Sequence, residues 1–271
     1  MKIIISHDVD HYEWTDHFTR DLFILKFLVR NNIQLLQNKV PLADYFRRYQ
    51  MLTINRQHRL YELIKFNKEH QIPSTFFIGM RNGLNLSYSY AKAKEIVQLI
   101  RENDPDADIG VHGIAYNAIA LMQEEYKKLK SVCSGANGIR MHYLRKDDST
   151  LQLLNQVGYK FDSTTYEIKN PYAVGQLIEF PVSVMDVSVV SGKDFHKIKE
   201  KTLAIIDTAA KKGLSYFTVI FHDFYFDKGF SMYKDWYTWL VELFISRGME
   251  FTSFNKAVQE LEASVKSSLK N

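Results

Sequence analysis

The sequence predicts an α/β fold in which a mostly parallel sheet closes into a distorted (β/α) barrel. Short runs of β-branched and aromatic residues recur along the chain, and longer stretches with helical periodicity separate them. This alternation is typical of strand–helix–strand units, which build parallel sheets. Seven or eight such units in a chain of 271 residues favour a barrel over an open sheet.

The predicted strands are short apolar runs that several times end in a polar residue. They lie at residues 2–7, 74–79, 108–112, 138–142, 160–163, 177–182, 215–222 and 250–253. The predicted helices lie at 59–70, 89–103, 122–132, 149–157, 195–212, 233–247 and 255–266. Because no repeat, low-complexity tract or Pro/Gly-rich linker divides the chain, we expect a single domain over residues 1–271.

Residues 12–57 depart from the alternation, since they are helical, aromatic and basic in pattern without a strand. We interpret them as a helical insertion after the first strand, with helices at 18–36 and 43–51. The simplest role is completion of the core, because tertiary packing is what stabilises most helices. A lid over the barrel mouth and contact with an amphiphilic substrate or membrane surface stay open.

Composition excludes several classes of function. The net charge of +4 is spread thinly, without a dense Lys/Arg block, so we expect no nucleic-acid partner. Cys133 is the only cysteine, which excludes an internal disulfide and any multi-cysteine zinc site. The N-terminal residues lack the apolar stretch of a secretory signal, and no run approaches the ~18 apolar residues of a membrane span. We therefore expect a cytoplasmic protein without a transmembrane segment.

Several predicted strands end in side chains that can bind a metal or carry a proton. These are the Asp8–Val9–Asp10 run, His112, His142, Asp162 and His222. In a barrel the carboxyl ends of the strands meet at one mouth, so these residues are expected to form one site. Asp8 and Asp10 lie two residues apart and project to the same side. One can therefore bind a divalent cation while the other acts as a base.

These runs resemble, in the same order, the motifs of the polysaccharide deacetylase family, also called the NodB homology domain or carbohydrate esterase family 4. The matching runs are SHDVD at 6–10, TFFI at 75–78, DIGVHG at 108–113, GIRMHY at 138–143, FDS at 161–163, EFPVS at 179–183 and VIFH at 219–222. The resemblance implies a barrel fold and hydrolysis of an acyl group from an amino sugar.

The resemblance also implies that Asp8 is the catalytic base, that Asp10 and His112 bind the metal, and that the backbone N–H of Tyr143 stabilises the oxyanion. From the needs of the reaction we further expect Arg140 to hold Asp8 by a bidentate pair, His222 to be the acid, and Asp162 to orient His222. The chemistry requires this set, because amide hydrolysis needs an activated nucleophile, oxyanion stabilisation and protonation of the departing amine.

The sequence departs from the family at the second metal histidine, where Tyr116 stands instead. A protonated tyrosine hydroxyl is a poor ligand at neutral pH. His142 stands two residues after Arg140, where the family usually has proline, so we expect the third ligand to be His142. His11 and His7 remain alternatives. Three protein ligands and an open position suit a catalytic zinc ion, which is the cofactor we expect.

The aromatic residues Phe224, Tyr225 and Tyr116 are candidates for substrate contact, since sugar sites often use rings as platforms. The predicted function is therefore removal of an acetyl or formyl group from an amino sugar, nucleotide- or lipid-linked, in cell-surface polysaccharide biosynthesis. Two alternatives stay open: a non-catalytic carbohydrate-binding or scaffold protein on the same fold, and an O-acetyl esterase. Peripheral contact with a membrane also stays open.

Overall fold

The computed structural model describes residues 1–13, 16, 22–53, 57–86 and 88–268. The strands in these ranges are β1 Lys2–Val9, β2 Thr75–Ile78, β3 Asp108–Gly113, β4 Gly138–Met141, β5 Phe161–Asp162, β6 Tyr172–Val174, β7 Leu177–Glu179, β8 Val182–Met185, β9 Tyr216–Ile220 and β10 Phe251–Thr252. The helices are α1 Phe23–Leu36, α2 Leu42–Gln50, α3 Gln57–Glu69, α4 Tyr90–Asn103, α5 Ile119–Val132, α6 Thr150–Val157, α7 Asp186–Val189, α8 Phe195–Lys211, α9 Ser231–Ser246 and α10 Phe254–Ser268.

These strands form one sheet in the order β6-β7-β5-β4-β3-β2-β1-β9-β8, with β10 paired to β1. The pairs are parallel, except that β6 and β7 are antiparallel. β7 lies near one end of this order and β8 at the other, yet only Phe180 and Pro181 separate them in the chain. The sheet is therefore curled, and its ends approach each other at this connection.

The predicted mixed α/β architecture is confirmed, and two details of the strand prediction differ. The single strand expected at 177–182 is divided into β7 and β8, because Pro181 has no N–H for the ladder and the chain changes neighbours there. β6 was not expected. It forms a short hairpin with β7 around Gly175, whose φ of 65° lies in the left-handed region that glycine adopts easily.

The inside of the curled sheet is filled mainly by aromatic side chains. Ile4, Phe77 and Phe161 pack there with the first residue of α10, Phe254. Gly138 makes room for them, since a Cβ at that position would lie 1.9 Å from the Phe161 ring. Because side chains alternate along a strand, even-numbered residues of β1 face this interior and odd-numbered residues face the helices.

The outer face of the sheet carries the larger core, which it shares with the helices. Ile96 of α4, Leu129 of α5 and Leu240 of α9 are fully buried against it. Each such side chain contributes about 1.5–3 kcal/mol by leaving water. Two of the helices begin at side-chain caps, where Ser89 accepts from the Lys92 N–H and Asp194 accepts from the Lys197 N–H.

Between β1 and α3, the described residues contain α1, α2 and a 3₁₀ turn at Met51–Thr53, without a strand. The helices expected at 18–36 and 43–51 agree with α1 and α2, apart from residues 18–21, which lie outside the described residues. Asp44 of α2 accepts hydrogen bonds from the N–H and hydroxyl of Ser231, at 2.9 and 2.6 Å. The α1–α2 hairpin is thereby fastened to the start of α9. In the part of the chain that the structure describes, every helix is too short or too polar to cross a membrane.

Candidate active site

The end of β1 places two carboxylates at the mouth of the curled sheet. Asp8 lies near the end of β1 on its inner face, and Asp10 follows one residue beyond the strand. His7 faces the opposite way, where its nitrogens lie 2.9 Å from the Phe221 carbonyl oxygen and 2.8 Å from Asn67 Nδ2. The alternative that His7 is a metal ligand is therefore wrong, because strand alternation directs its ring into the outer core.

Asp10, His112 and His142 form a group that could hold a metal ion. Oδ1 of Asp10 lies 3.0 Å from His112 Nε2 and 3.4 Å from His142 Nδ1, and these two nitrogens are 2.9 Å apart. The register of β3 and β4 explains the approach, since His112 pairs with Arg140 and His142 follows two residues later. Both imidazole rings are buried.

The hydrogen bond made by the outer nitrogen of each ring determines whether the inner nitrogen carries a proton or a lone pair. Nδ1 of His112 lies 3.1 Å from the Arg140 carbonyl oxygen, and Nε2 of His142 lies 2.9 Å from the Leu84 carbonyl oxygen. A carbonyl only accepts, so each ring donates its N–H there and, when neutral, turns a lone pair inward. Two nitrogen lone pairs and a carboxylate oxygen of Asp10 thus converge on one point.

This convergence fits a divalent cation. Oδ1 of Asp10 is buried and accepts no hydrogen bond from the residues that the structure describes, although a histidine nitrogen lies 3.0 Å away. Ligand atoms around a tetrahedral zinc ion with bonds of about 2.1 Å are roughly 3.4 Å apart, close to the separations found here. Burial would raise the pKa of Asp10, but the neighbouring histidines hold that pKa well below its usual range. The carboxylate therefore stays ionised and available as a ligand.

Arg140 holds Asp8 as expected, but through one hydrogen bond and not through a bidentate pair. Its Nη1 donates to Asp8 Oδ1 at 2.9 Å, and its other nitrogens donate to the carbonyl oxygen and hydroxyl of Ser163. The guanidinium, which is fully buried, lies 4.3 Å above the Phe77 ring. Burial would raise the pKa of Asp8, but the charge of Arg140 lowers that pKa below its ordinary value. The second oxygen, Oδ2, lies 4.0 Å from His112 Nε2, beside the candidate ion position.

His222 lies on the other side of Asp10, with Nε2 3.9 Å from Asp10 Oδ2. Its Nδ1 is 3.0 Å from Oδ1 of Asp186, and its backbone N–H donates to Oδ2 of the same carboxylate. Burial would lower the pKa of His222, but the charge and hydrogen bond of Asp186 raise it to about 10. The imidazole is therefore protonated at neutral pH, as an acid must be.

Asp162 does not orient His222, so this expectation is wrong. Strand alternation turns Asp162 away from the interior, where its neighbour Phe161 packs, and toward the outer layer. Asp162 accepts from the hydroxyl of Thr164 at 2.7 Å and pairs in register with Glu179. Burial raises the pKa of both carboxyls, and neither residue lines the cavity that contains Asp10.

Asp186 is the residue that the sequence reasoning missed. It directly follows β8, so the rule that locates functional residues at strand ends applies to it as well. The sequence places the end of that strand at residue 182, which moved Asp186 into a connecting segment. If this strand had been predicted to end at residue 185, Asp186 would have been a candidate site residue.

Tyr143 lies beside the candidate ion position, next to His142 in the chain. Its backbone is left-handed, with φ of 57°, and its ring packs 3.9 Å from the His142 ring. The side chain is largely exposed and its hydroxyl accepts from Asn85 Nδ2 at 2.8 Å. Tyr143 therefore lines the site, and its role as an oxyanion donor remains a prediction.

A cavity of about 740 Å³ extends from the candidate ion position to the α1–α2 hairpin. Phe224 and Tyr225 line it, and Tyr225 stacks on Tyr233 with ring centroids 4.1 Å apart. Tyr116 is not among the lining residues and packs under the guanidinium of Arg145, so the structure does not support it as a substrate contact. Tyr116 lies in the loop between β3 and α5.

His11, the other alternative ligand, lines the cavity but lies outside the group of Asp10, His112 and His142. Its ring packs against Phe23 of α1, with centroids 4.5 Å apart, and against Phe224. The geometry therefore favours His142 as the third ligand.

Comparison with solved structures supports the fold. A protein of Mycobacterium smegmatis described as a "putative polysaccharide deacetylase" is similar over 97% of this chain and 90% of that chain, with a TM-score of 0.62 and 18% identity. A 4-alpha-glucanotransferase of Thermococcus litoralis is similar over 95% of this chain but 38% of that chain, with a TM-score of 0.50 and 10% identity. No protein-family model and no curated protein matches the sequence. The predicted resemblance to polysaccharide deacetylases is thus confirmed for the fold.

Proposed function

We propose that this protein is a metal-dependent hydrolase that removes an acetyl or formyl group from the nitrogen of an amino sugar. The observation that carries the proposal is the convergence of Asp10, His112 and His142 on one point, between the Asp8–Arg140 pair and His222. A base, a set of metal ligands and an acid within one cavity are the components that amide hydrolysis needs. The fold of the Mycobacterium smegmatis protein supports the same class of reaction.

Asp10, His112 and His142 would hold the cation, and zinc is the ion that best suits two imidazoles and one carboxylate. When bound, such an ion supplies Lewis acidity toward the acyl oxygen and acidifies water. The residues of the chain supply the rest. Asp8, held ionised by Arg140, accepts a proton from the attacking water.

Proton return to the amine is the task of His222. Its Nδ1 is held by Asp186, so Nε2 faces the cavity beside Asp10 with its proton. Asp186 is a positioning residue that also keeps the imidazole charged. The backbone N–H of Tyr143 would stabilise the oxyanion, and Phe224 and Tyr225 would contact the sugar.

The proposed setting is the cytoplasmic synthesis of a cell-surface polysaccharide by a single-domain protein. The experiment that tests the core of the proposal combines metal analysis with an assay for released acetate or formate. We expect one equivalent of zinc or a similar ion in the wild type, and its loss in His112→Ala, because that ring supplies an inner-facing nitrogen. His196→Ala is the matched control, since His196 is exposed on α8.

A metal-free wild type that binds amino sugars without releasing an acyl group would contradict the proposal and favour the non-catalytic alternative. Release of acetate from O-acetyl sugars alone would favour the esterase. The two substrates differ only in the atom that leaves, so comparing N-acetyl and O-acetyl forms of one sugar separates these outcomes.

A further inference from the structure

The α1–α2 hairpin presents positive charge to the same cavity that contains the candidate ion position. Lys26 and Arg30 of α1 and Lys39 of the connecting segment line this cavity together with Asp10 and His142. None of these three cations forms an ion pair or side-chain hydrogen bond to a carboxylate in the part of the chain that the structure describes. Their charge is therefore directed to the cavity and to solvent.

A fourth cation, Arg48 of α2, is buried in the wall of this cavity, with 7% of its surface exposed. It donates to the Gly229 carbonyl oxygen and the Gln34 side chain, at 2.8 and 2.7 Å, and its guanidinium lies over the Phe230 ring. These partners are neutral, and within the described ranges Arg48 forms no salt bridge. A buried cation held by neutral groups is costly unless an anion approaches it.

The carboxylates on the cavity wall do not balance these charges. Asp8 is neutralised by Arg140, and Asp10 belongs to the candidate ion site. The third, Asp44, pairs with Arg47, whose Nη1 lies 3.6 Å from Asp44 Oδ1, and its Oδ2 accepts two hydrogen bonds from Ser231. Among the described residues that line the cavity, these four cations thus meet no free carboxylate. The cavity's volume of about 740 Å³ leaves room for more than one sugar ring.

We propose that Lys26, Arg30, Lys39 and Arg48 bind a phosphate or diphosphate group of the substrate, so that the substrate is a phosphate-linked amino sugar. The sugar part of this inference rests on the proposed function, whereas the anion part rests on the cavity alone. Guanidinium and ammonium groups are the usual partners of phosphate, and Arg adds a planar pair of donors. The phosphate occupies the hairpin end of the cavity while the acyl group reaches the strand ends.

Two carriers present the same phosphate chemistry: a soluble nucleoside diphosphate and a lipid. The outer side of the hairpin bears on this choice, because Leu25, Val29, Ile33 and Leu36 of α1 are exposed and do not line the cavity. A surface helix usually turns its apolar side inward. α1 does so with Phe23 and Phe27, but it also leaves these four apolar side chains exposed. Binding to a soluble phosphate and binding to a lipid surface are therefore tested separately.

The central experiment is calorimetric titration with inorganic pyrophosphate. The full-length protein is first freed of metal by chelation and dialysis, since an ion would itself bind phosphate. We expect binding that weakens with added salt, and a Lys26→Gln/Arg30→Gln variant that binds about tenfold more weakly, because each exposed ionic contact contributes a few-fold. The control is Lys127→Gln/Lys211→Gln, which removes the same charge from exposed positions outside the cavity.

The carrier arm measures co-sedimentation with phosphatidylcholine vesicles, with and without phosphatidylglycerol. Binding to the anionic vesicles that is lost in Leu25→Ser/Val29→Ser supports a lipid-linked phosphate. Pyrophosphate binding without vesicle binding supports a soluble carrier. Absence of pyrophosphate binding, or equal weakening in the control variant, overturns the inference. Neither readout uses hydrolysis, so a failure of the proposed activity would be recognised separately.

Discussion

The strand-end centre and the α1–α2 hairpin form opposite walls of one cavity, and they are built in different ways. The centre includes Asp8, His112 and Arg140, which are almost completely buried and held by two or more hydrogen bonds or ion pairs. On the hairpin, Lys26 and Arg30 are exposed and without an ion pair in the described ranges.

This difference separates the chemistry from the choice of substrate. Groups that transfer protons or bind metal must be fixed within a fraction of an ångström, which strand ends and buried ion pairs achieve. Groups that attract an anion act over several ångströms and tolerate motion. We therefore expect changes in the centre to alter turnover and changes in the hairpin to alter substrate affinity.

The largest expected effect is that of Asp8→Asn, which breaks the centre without touching the hairpin. The change removes the base but retains an oxygen toward Arg140, so we expect kcat to fall by about 10²–10⁴-fold with the metal still bound. The measurements are steady-state kinetics and metal content. Asp207→Asn, at an exposed position on α8, is the control. A variant that keeps wild-type turnover would remove Asp8 from the mechanism.

His142→Ala tests whether the third ligand comes from β4. We expect metal affinity to fall about 10- to 100-fold, since one inward-facing nitrogen is lost while Asp10 and His112 remain. Competition with a chelating dye measures this affinity, and pyrophosphate binding to the hairpin is expected to be unchanged. If the affinity for metal is also unchanged, His11 or water occupies the third position.

Asp186→Asn tests the proton-transfer side of the centre. Asp186 raises the pKa of His222 to about 10, so the wild-type imidazole stays protonated across neutral and mildly alkaline pH. Without this charge the pKa of His222 returns toward its ordinary value near 6.5. We therefore expect kcat to fall about tenfold at pH 8 and less at pH 6, with metal affinity retained. A pH–rate profile parallel to that of the wild type would contradict the role of Asp186.

The sequence predicted the centre better than the hairpin, for a physical reason. Parallel strands bring their carboxyl ends together in any curled sheet, so Asp10, His112 and His142 could be expected to meet from their order alone. The failure at Asp162 came from the direction of the side chain, because a two-residue strand gives too little alternation to reveal which face is inside.

The hairpin could not be predicted to the same depth. Periodicity indicated its helices, but the orientation of α1 depends on contacts made by α2, among them those of Arg48 and Asp44 to residues 229 and 231. Apolar residues occur on more than one side of α1, so its pattern does not show which side faces the molecule, and the structure exposes Leu25 and Val29. Long-range polar contacts of this kind leave no periodic pattern in the sequence.

The smallest expected effect is on stability. It concerns a titratable residue that supports the strand-end centre and not the hairpin. Glu125 of α5 is buried and accepts from the N–H of Ile114, in the loop that follows His112 and β3. Burial raises the pKa of Glu125 to about 7, from an ordinary value of 4.5. Because the folded state binds this proton more tightly than the unfolded chain does, the side chain lowers stability as pH rises from about 4.5 to 7.

Glu125→Gln removes this titration and keeps an acceptor for Ile114. We expect its free energy of unfolding to fall less between pH 5 and pH 8 than that of the wild type, by about 1–3 kcal/mol. Urea denaturation at both pH values measures the difference. Glu124→Gln is the control, because Glu124 is exposed and pairs with Lys128, so its loss leaves the pH dependence nearly unchanged. Equal slopes for the two variants would mean that Glu125 is ionised throughout this pH range and that the loop behind His112 does not respond to pH.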